Sequence, residues 1–396
     1  MRELLISWND LPYRSNAKIQ ANSEIDIMLN VLILGVGQCG NRILDAINKE
    51  AFGGGGPSKL AKYYLRPRFP SRVETLAINT AINDLKELRF TTAKDRLHVP
   101  NLHGVGANRN VGKQAFMDNR DMIMGEIEKR GDYDVAFVIT STSGGTGSSF
   151  TPLLINELKR QYRDITVITV AVLPFREEGS IYLQNAAFSM RELMEVEAEG
   201  IILADNQYMK RFSGDIASAY DKINDMIAQR LLFLIESLDS EMLCVTDLGD
   251  FKTVMNGGLR IGTMGFYQAD SKNLSIRDAI ENSLKPVNLL YPANVGDDAA
   301  RAMIIIQGSR ELLDVDDITK EVEKLAASAG HVFKGIVVKK GRPKVLSVFT
   351  LASAPELESI YAQAARGMQE EKEKRIRARK QLDDAFAHIE DLEEIY

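Results

Sequence analysis

Ser141-Thr142-Ser143-Gly144-Gly145-Thr146-Gly147-Ser148-Ser149 is the stretch on which the fold turns. Ahead of it, Val135-Ala136-Phe137-Val138-Ile139 is an apolar run that reads as a buried strand, and behind it Pro152-Leu153-Leu154-Ile155-Asn156-Glu157-Leu158 reads as a helix. A glycine- and hydroxyl-rich turn between strand and helix lets backbone N–H groups approach an anion, and the helix dipole adds to the attraction. The stretch therefore predicts a phosphate cradle. Gly and Ser are also ordinary turn residues, so a tight connection is the competing reading.

A second loop of the same build lies upstream. Val31-Leu32-Ile33-Leu34 runs into Gly35-Val36-Gly37-Gln38-Cys39-Gly40-Asn41-Arg42 and a helix through about Lys49. Gly35, Gly37 and Gly40 satisfy G-x-G-x-x-G, but the next strand, Val73 to Ile78, closes on Asn79-Thr80 and lacks the acid that holds a dinucleotide ribose. That counts against a nicotinamide-dependent dehydrogenase. A third loop has Gly104, Gly106 and Gly112 ahead of a helix. Gly112-Lys113 hints at a P-loop, yet Ala107 replaces the required glycine and Gln114 the magnesium-holding hydroxyl, so a P-loop NTPase is rejected. Gly53 to Gly56, before Pro57, is fed by no strand and reads as a flexible loop.

Downstream, 165–173 is a continuous apolar strand ended by Pro174, a helix runs through about Glu197, and Ile201-Ile202-Leu203-Ala204 is another buried strand. Alternating strands and helices predict an open, mostly parallel sheet with helices on both faces, and a ligand crevice at the strands' carboxyl ends. Ile216, Tyr220, Ile223, Ile227, Leu231, Leu234 and Leu238 then recur at helical steps. They predict one helix of about 24 residues, ~36 Å long, and Leu232, Phe233 and Ile235 on its other faces suggest burial between two domains. From 258 a smaller α+β domain follows: strands at 258–268 and 301–307, helices at 276–284 and 313–328, and a hairpin over 335–351 turning at Gly341. The expected division is an N-terminal extension at 1–29, a nucleotide-binding domain at 30–214, the central helix at 215–240, the smaller domain at 241–353 and a charged tail at 354–396. The tail reads as a solvated helix or frayed end, or as a partner-binding segment. Met28 stands directly before the first strand, so the chain is expected either to start there or to carry a flexible arm over 1–27.

Composition narrows the function classes. Net charge is −6, from 49 basic and 55 acidic residues, which disfavours a protein that neutralises nucleic-acid phosphates. No apolar stretch approaches the roughly 20 residues that span a bilayer and no secretory signal opens the chain, so a cytoplasmic protein without membrane insertion is expected. Cys39 and Cys244 make no disulfide framework, and His98, His103, His331 and His388 show no metal-ligand spacing.

Taken in order, these loops resemble one family. Gly35-Val36-Gly37-Gln38-Cys39-Gly40-Asn41 resembles the first nucleotide loop of tubulin, and Ser143-Gly144-Gly145-Thr146-Gly147-Ser148-Ser149 resembles the tubulin/FtsZ signature GGGTG[ST]G, with serine in place of its first and last glycines. Asp247-Leu248-Gly249-Asp250-Phe251-Lys252-Thr253-Val254-Met255 resembles the FtsZ catalytic loop that follows the central helix. Order and spacing agree over 31–352, and the combination is most similar to the archaeal CetZ proteins. The resemblance implies a tubulin/FtsZ-like fold: a Rossmann-type α/β GTP-binding domain, a long central helix and a smaller α+β domain.

It also implies a cytoskeletal GTPase that binds GTP or GDP with Mg2+, self-associates head to tail into protofilaments, hydrolyses GTP at the subunit interface and serves cell shape, with protein partners for the tail. By position, Gln38, Cys39, Gly40, Asn41 and Arg42 would hold the α/β-phosphates and guanosine. Gly145, Thr146 and Gly147 would contact the phosphates, and Gly106, Ala107 and Asn108 would sense the γ-phosphate. Glu178 would bind the ribose, with Tyr182 one turn later, and Asn206 and Asn224 would read guanine, since an amide both donates and accepts. Asp247 and Asp250 would reach the nucleotide of the next subunit and polarise the attacking water. Two aspartates starting a helix are also ordinary N-cap residues. The family's loop often carries asparagine where Val245 stands, which leaves open a filament protein with little hydrolysis.

Overall fold

The computed structural model describes residues 29–51, 72–100, 104–212, 216–238, 240, 247–269 and 275–390. The N-terminal extension, the Gly53–Gly56 run, His103, Cys244 and Val245 lie outside them. Strands are β1 Asn30–Val36, β2 Arg72–Asn79, β3 Arg96–His98, β4 Val135–Ser141, β5 Thr166–Leu173, β6 Gly200–Asp205, β7 Ile261–Gln268, β8 Ala299–Gly308, β9 Val332–Val338 and β10 Lys344–Leu351. Helices of the first half are α1 Gly37–Ala51, α2 Ile82–Lys86, α3 Arg109–Asp118, α4 Arg120–Glu128, α5 Gly145–Gln161, α6 Ser180–Glu195 and α7 Asn206–Met209. Those of the second are α8 Ile216–Leu238, α9 Leu248–Met255, α10 Ile276–Leu284, α11 Val295–Asp298, α12 Val315–Ala329 and α13 Pro355–Glu390.

The described strands join one sheet in the order β3-β2-β1-β4-β5-β6-β7-β10-β8-β9. From β3 to β6 the neighbours are parallel. The apolar strands are continuous because both faces are covered. In β1, Leu32 and Leu34 enter one core while Val31 and Ile33 enter the core on the opposite face, as a two-residue side-chain period requires. The chain leaves β1 for β2 on one side and returns to β4 on the other. That reversal opens a crevice at the carboxyl ends of β1 and β4.

β6 meets β7 over only Ile201↔Ile261 and Ile202↔Gly262, at the first residues of both strands. The central helix α8 packs against α1 and also against β7 and β10. Ile223, Ile227, Leu231, Phe233, Leu234 and Ile235 are buried, so the apolar residues on its other faces are explained by contact on two sides.

The expected hairpin over 335–351 does not form. β9 and β10 follow one another in sequence but are separated in the sheet by β8, which pairs parallel with β9 and antiparallel with β10. The reason is the crossover through α12. It delivers β9 parallel to β8 on its outer side, leaving β10 the gap between β8 and β7. The 339–343 segment crosses the end of β8, where Lys339 N donates to the Gly308 carbonyl at 2.9 Å.

The 355–396 segment also differs from a wholly solvated tail. Leu357, Ile360 and Ala364 on the first turns of α13 are buried in the core, and Gly367 lies against Ser180 of α6. Beyond Gln369 the described side chains are exposed, bound along the helix by Arg375–Glu371, Arg377–Glu373 and Arg379–Asp383 pairs. Among the described residues no helix is long and apolar enough to cross a membrane.

Candidate functional site

At the crevice beside β1 and β4 lies an open cleft of about 550 Å³. Two helices begin at its floor. α1 starts at Gly37, whose φ of +73° suits glycine and whose Cα faces Gly147, where a Cβ would come to 2.9 Å of the Gly147 nitrogen. α5 starts at Gly145, so the unpaired N–H groups of the first turn and the positive end of the helix dipole face the cleft. Gly145 is required by contact: a Cβ there would meet the Gly106 carbonyl oxygen at 1.8 Å. The 104–108 loop thus lies directly on the α5 N-terminus.

The structure brings most of the expected residues to this cleft. Gln38, Cys39, Arg42, Gly106, Ala107, Gly145, Thr146, Gly147, Glu178, Tyr182, Asn206 and Asn224 line it. Asn206 follows β6, and its Oδ1 is buried without a partner among the described residues. Asn224 and Tyr220 lie one turn apart on α8, which brings the central helix to the cleft. Glu178 accepts a hydrogen bond from Phe175 N at 3.1 Å, while burial pushes its carboxyl above the ordinary range. The Cys39 thiol is pushed up to about 12 by burial and by the nearby Glu178 carboxylate, so it lines the cleft as a neutral group.

Three expected contacts are not among the lining residues. Gly40 packs on the sheet, where a Cβ would meet the Ile139 carbonyl at 2.1 Å. Asn41 is buried and donates to the Ile78 carbonyl at 3.3 Å. Asn108 caps α3, accepting from Asn110 N and Val111 N at 3.0 and 3.2 Å. Gly40 and Asn41 are buried beneath the first loop, and Asn108 is exposed at the start of α3. Gly112 is not a loop glycine either: it sits in α3 against Ser149.

Other lining residues were not singled out from the sequence. Thr80 Oγ1 lies 2.8 Å from Thr146 Oγ1, joining the end of β2 to α5. Asp84 on α2 accepts from Gln38 Nε2 at 3.2 Å and Asn79 Nδ2 at 3.0 Å. A carboxylate thus lines the cleft five residues beyond the end of β2, at a place that a motif anchored on the strand end does not detect. Among the described residues no three His, Cys, Asp or Glu side chains gather as a cation cage.

Asp247 and Asp250 are elsewhere. They cap their own helix reciprocally: Asp250 N donates to Asp247 Oδ1 at 2.9 Å, and Asp247 N to Asp250 Oδ2 at 3.3 Å. α9 ends at Met255, which packs on Gly200, the first residue of β6. Asn206 follows the last residue of the same strand, so the helix bearing the two aspartates and the cleft adjoin opposite ends of β6.

A switch-point crevice floored by two helix N-termini defines a doubly wound α/β protein that seats a phosphate-bearing ligand. Comparison with known proteins narrows this class. The model of the Tubulin/FtsZ family, GTPase domain, matches residues 30–214. The tubulin-like protein CetZ of Methanothrix thermoacetophila is 71% identical over 370 residues, spanning 93% of this chain and 100% of that protein. The solved CetZ from Methanosaeta thermophila strain DSM 6194 is 69% identical, with a TM-score of 0.83 over 93% of this chain and 99% of that one. A Haloferax volcanii CetZ2, solved as a GTPγS-bound protofilament, shares the fold at a TM-score of 0.71 and 22% identity, over 87% of this chain and 100% of that one. The chain belongs to the tubulin/FtsZ family, in its CetZ branch.

Proposed function

We propose that the cleft binds GTP, that copies of the chain assemble head to tail into protofilaments, and that Asp247 and Asp250 of one copy complete hydrolysis at the cleft of the next. The observation that carries the nucleotide reading is the buried, unpartnered Oδ1 of Asn206, in a cleft whose floor is two helix N-termini. The helix ends suit phosphates and the carboxamide suits a base edge with donors. In this reading Glu178, on the cleft wall, would take the ribose hydroxyls and the 104–108 loop a third phosphate. The helix that carries Asp247 and Asp250 adjoins the opposite end of β6, so a neighbour stacked along the strand direction would bring them to the cleft from outside. There their carboxylates would orient a water for in-line attack. A filament of this kind acting in cell shape is the role the CetZ relationship suggests.

Mg2+ fits the residues present. A magnesium ion is commonly held by one or two carboxylates and substrate phosphates, and Asp84, steadied by Gln38 and Asn79, is a lining carboxylate suited to this. When bound it would neutralise charge on the phosphates.

The test is GTP turnover against protein concentration. Specific activity should rise steeply as filaments form, and Asp250→Ala should lose most hydrolysis while still binding nucleotide. Full activity in dilute monomer would remove the shared-site reading. The reciprocal caps favour a second reading, in which both aspartates are structural and the filament hydrolyses little. Unchanged, low turnover in Asp250→Ala would select it.

A further inference from the structure

Asn185 lies on α6, away from the cleft wall, and is 7% exposed. Its single Nδ2 group donates two hydrogen bonds to two different loops: to the Ala107 carbonyl at 2.8 Å and to the Ser143 carbonyl at 3.0 Å. Both acceptors belong to loops that line the cleft, and neither bond is local in sequence. The loops also touch directly, with Gly145 against the Gly106 carbonyl. Arg109 adds a parallel tie: it donates to the Ser148 carbonyl at 3.0 Å and to Glu192 on α6 at 2.7 Å.

We infer that Asn185 is a positioning residue that makes the 104–108 loop and the start of α5 one mechanical unit. This rests on the reading of the cleft as a guanine-nucleotide site with 104–108 facing the γ-phosphate. Two carbonyls converging on one point repel each other. A donor between them offsets that repulsion, and a side chain with two N–H groups on one nitrogen does it from a single position. A ligand that orders the α5 end then orders 104–108 as well, before any third phosphate touches it. The loop is then pre-set for a third phosphate, and only a ligand that carries one gains from that position.

The test compares wild type with Asn185→Leu, a side chain of similar volume without donors, by titrating GTPγS and GDP separately. GTPγS affinity should fall about tenfold, the scale of one or two lost buried hydrogen bonds, while GDP affinity stays within about twofold. Equal loss for both nucleotides, or no loss, would overturn the inference. Because the variant could fold poorly, hydrogen exchange on the intact wild-type chain gives a second test. Adding GDP should slow exchange in 104–108 together with 141–147. Protection confined to 141–147 would overturn the coupling while leaving the nucleotide site standing, whereas no protection anywhere would remove the site and the coupling together.

Discussion

Asn206 has a buried amide oxygen with no partner among the described residues, a state that costs free energy unless a ligand supplies the missing donor. Asn206→Leu therefore separates stability from function. The variant should unfold at a temperature no lower than the nucleotide-free wild type, since a buried orphan is gone. It should bind GTP about tenfold or more weakly, with ATP little affected, because a site built to pair a base edge leaves its hydrogen bond unmade. A competition assay with both nucleotides and a melting curve check the two halves. Asn206 and Asn224 were legible in sequence only through the family's motif order, since a lone asparagine after a strand is more often a cap. Asp84 was not legible at all. Its place in the cleft depends on the path from β2 to α2, which brings its carboxylate to Gln38 across 46 positions of sequence.

The meeting of α3 and α5 explains a departure from the family signature. Ser149 stands where the signature ends in glycine, and its Oγ donates to the Gly145 carbonyl at 2.6 Å within the first turns of α5. On the facing helix, Gly112 leaves the room: a Cβ there would lie 2.1 Å from Ser149 Oγ. Gly112→Ala should therefore destabilise the protein by about 1–3 kcal/mol, the scale of overpacking. Adding Ser149→Gly should recover a large part of that loss, and denaturant unfolding of both singles and the double closes the cycle. Additive losses would mean that the two sites do not communicate. In sequence Gly112 read as part of a glycine loop, because a glycine needed for helix approach looks the same as one needed for a turn. The start of α13 was misread for a related reason: its buried Leu357, Ile360 and Ala364 are three residues in a charge-dense segment, and only packing on α6 reveals them as core.

Across the whole molecule, the cleft and the helix that carries Asp247 and Asp250 adjoin opposite ends of β6. α8, at ~35 Å for its 23 residues, carries Tyr220 and Asn224 in the cleft near its start and precedes that helix. If catalysis needs groups from both ends, it needs two copies. Asn206→Leu and Asp250→Ala should each be nearly inactive at a GTP concentration below the former's Kd. Their mixture should regain turnover, because clefts of the Asp250→Ala copy meet intact aspartates of the other. A mixture no more active than its components would place catalysis within one copy. By itself, the sequence determined the alternation of strands and helices, the three loops of the cleft and the existence of a long buried helix. Each follows from apolar period and glycine placement within a few residues, which are local properties. Only the tertiary structure decided that β9 and β10 flank β8 instead of pairing, that Asp84 and Tyr220 reach the cleft, and that Asn185 joins two of its loops. Those depend on contacts between distant segments, where the geometry of a crossover or the reach of one amide sets the outcome and no local pattern records it.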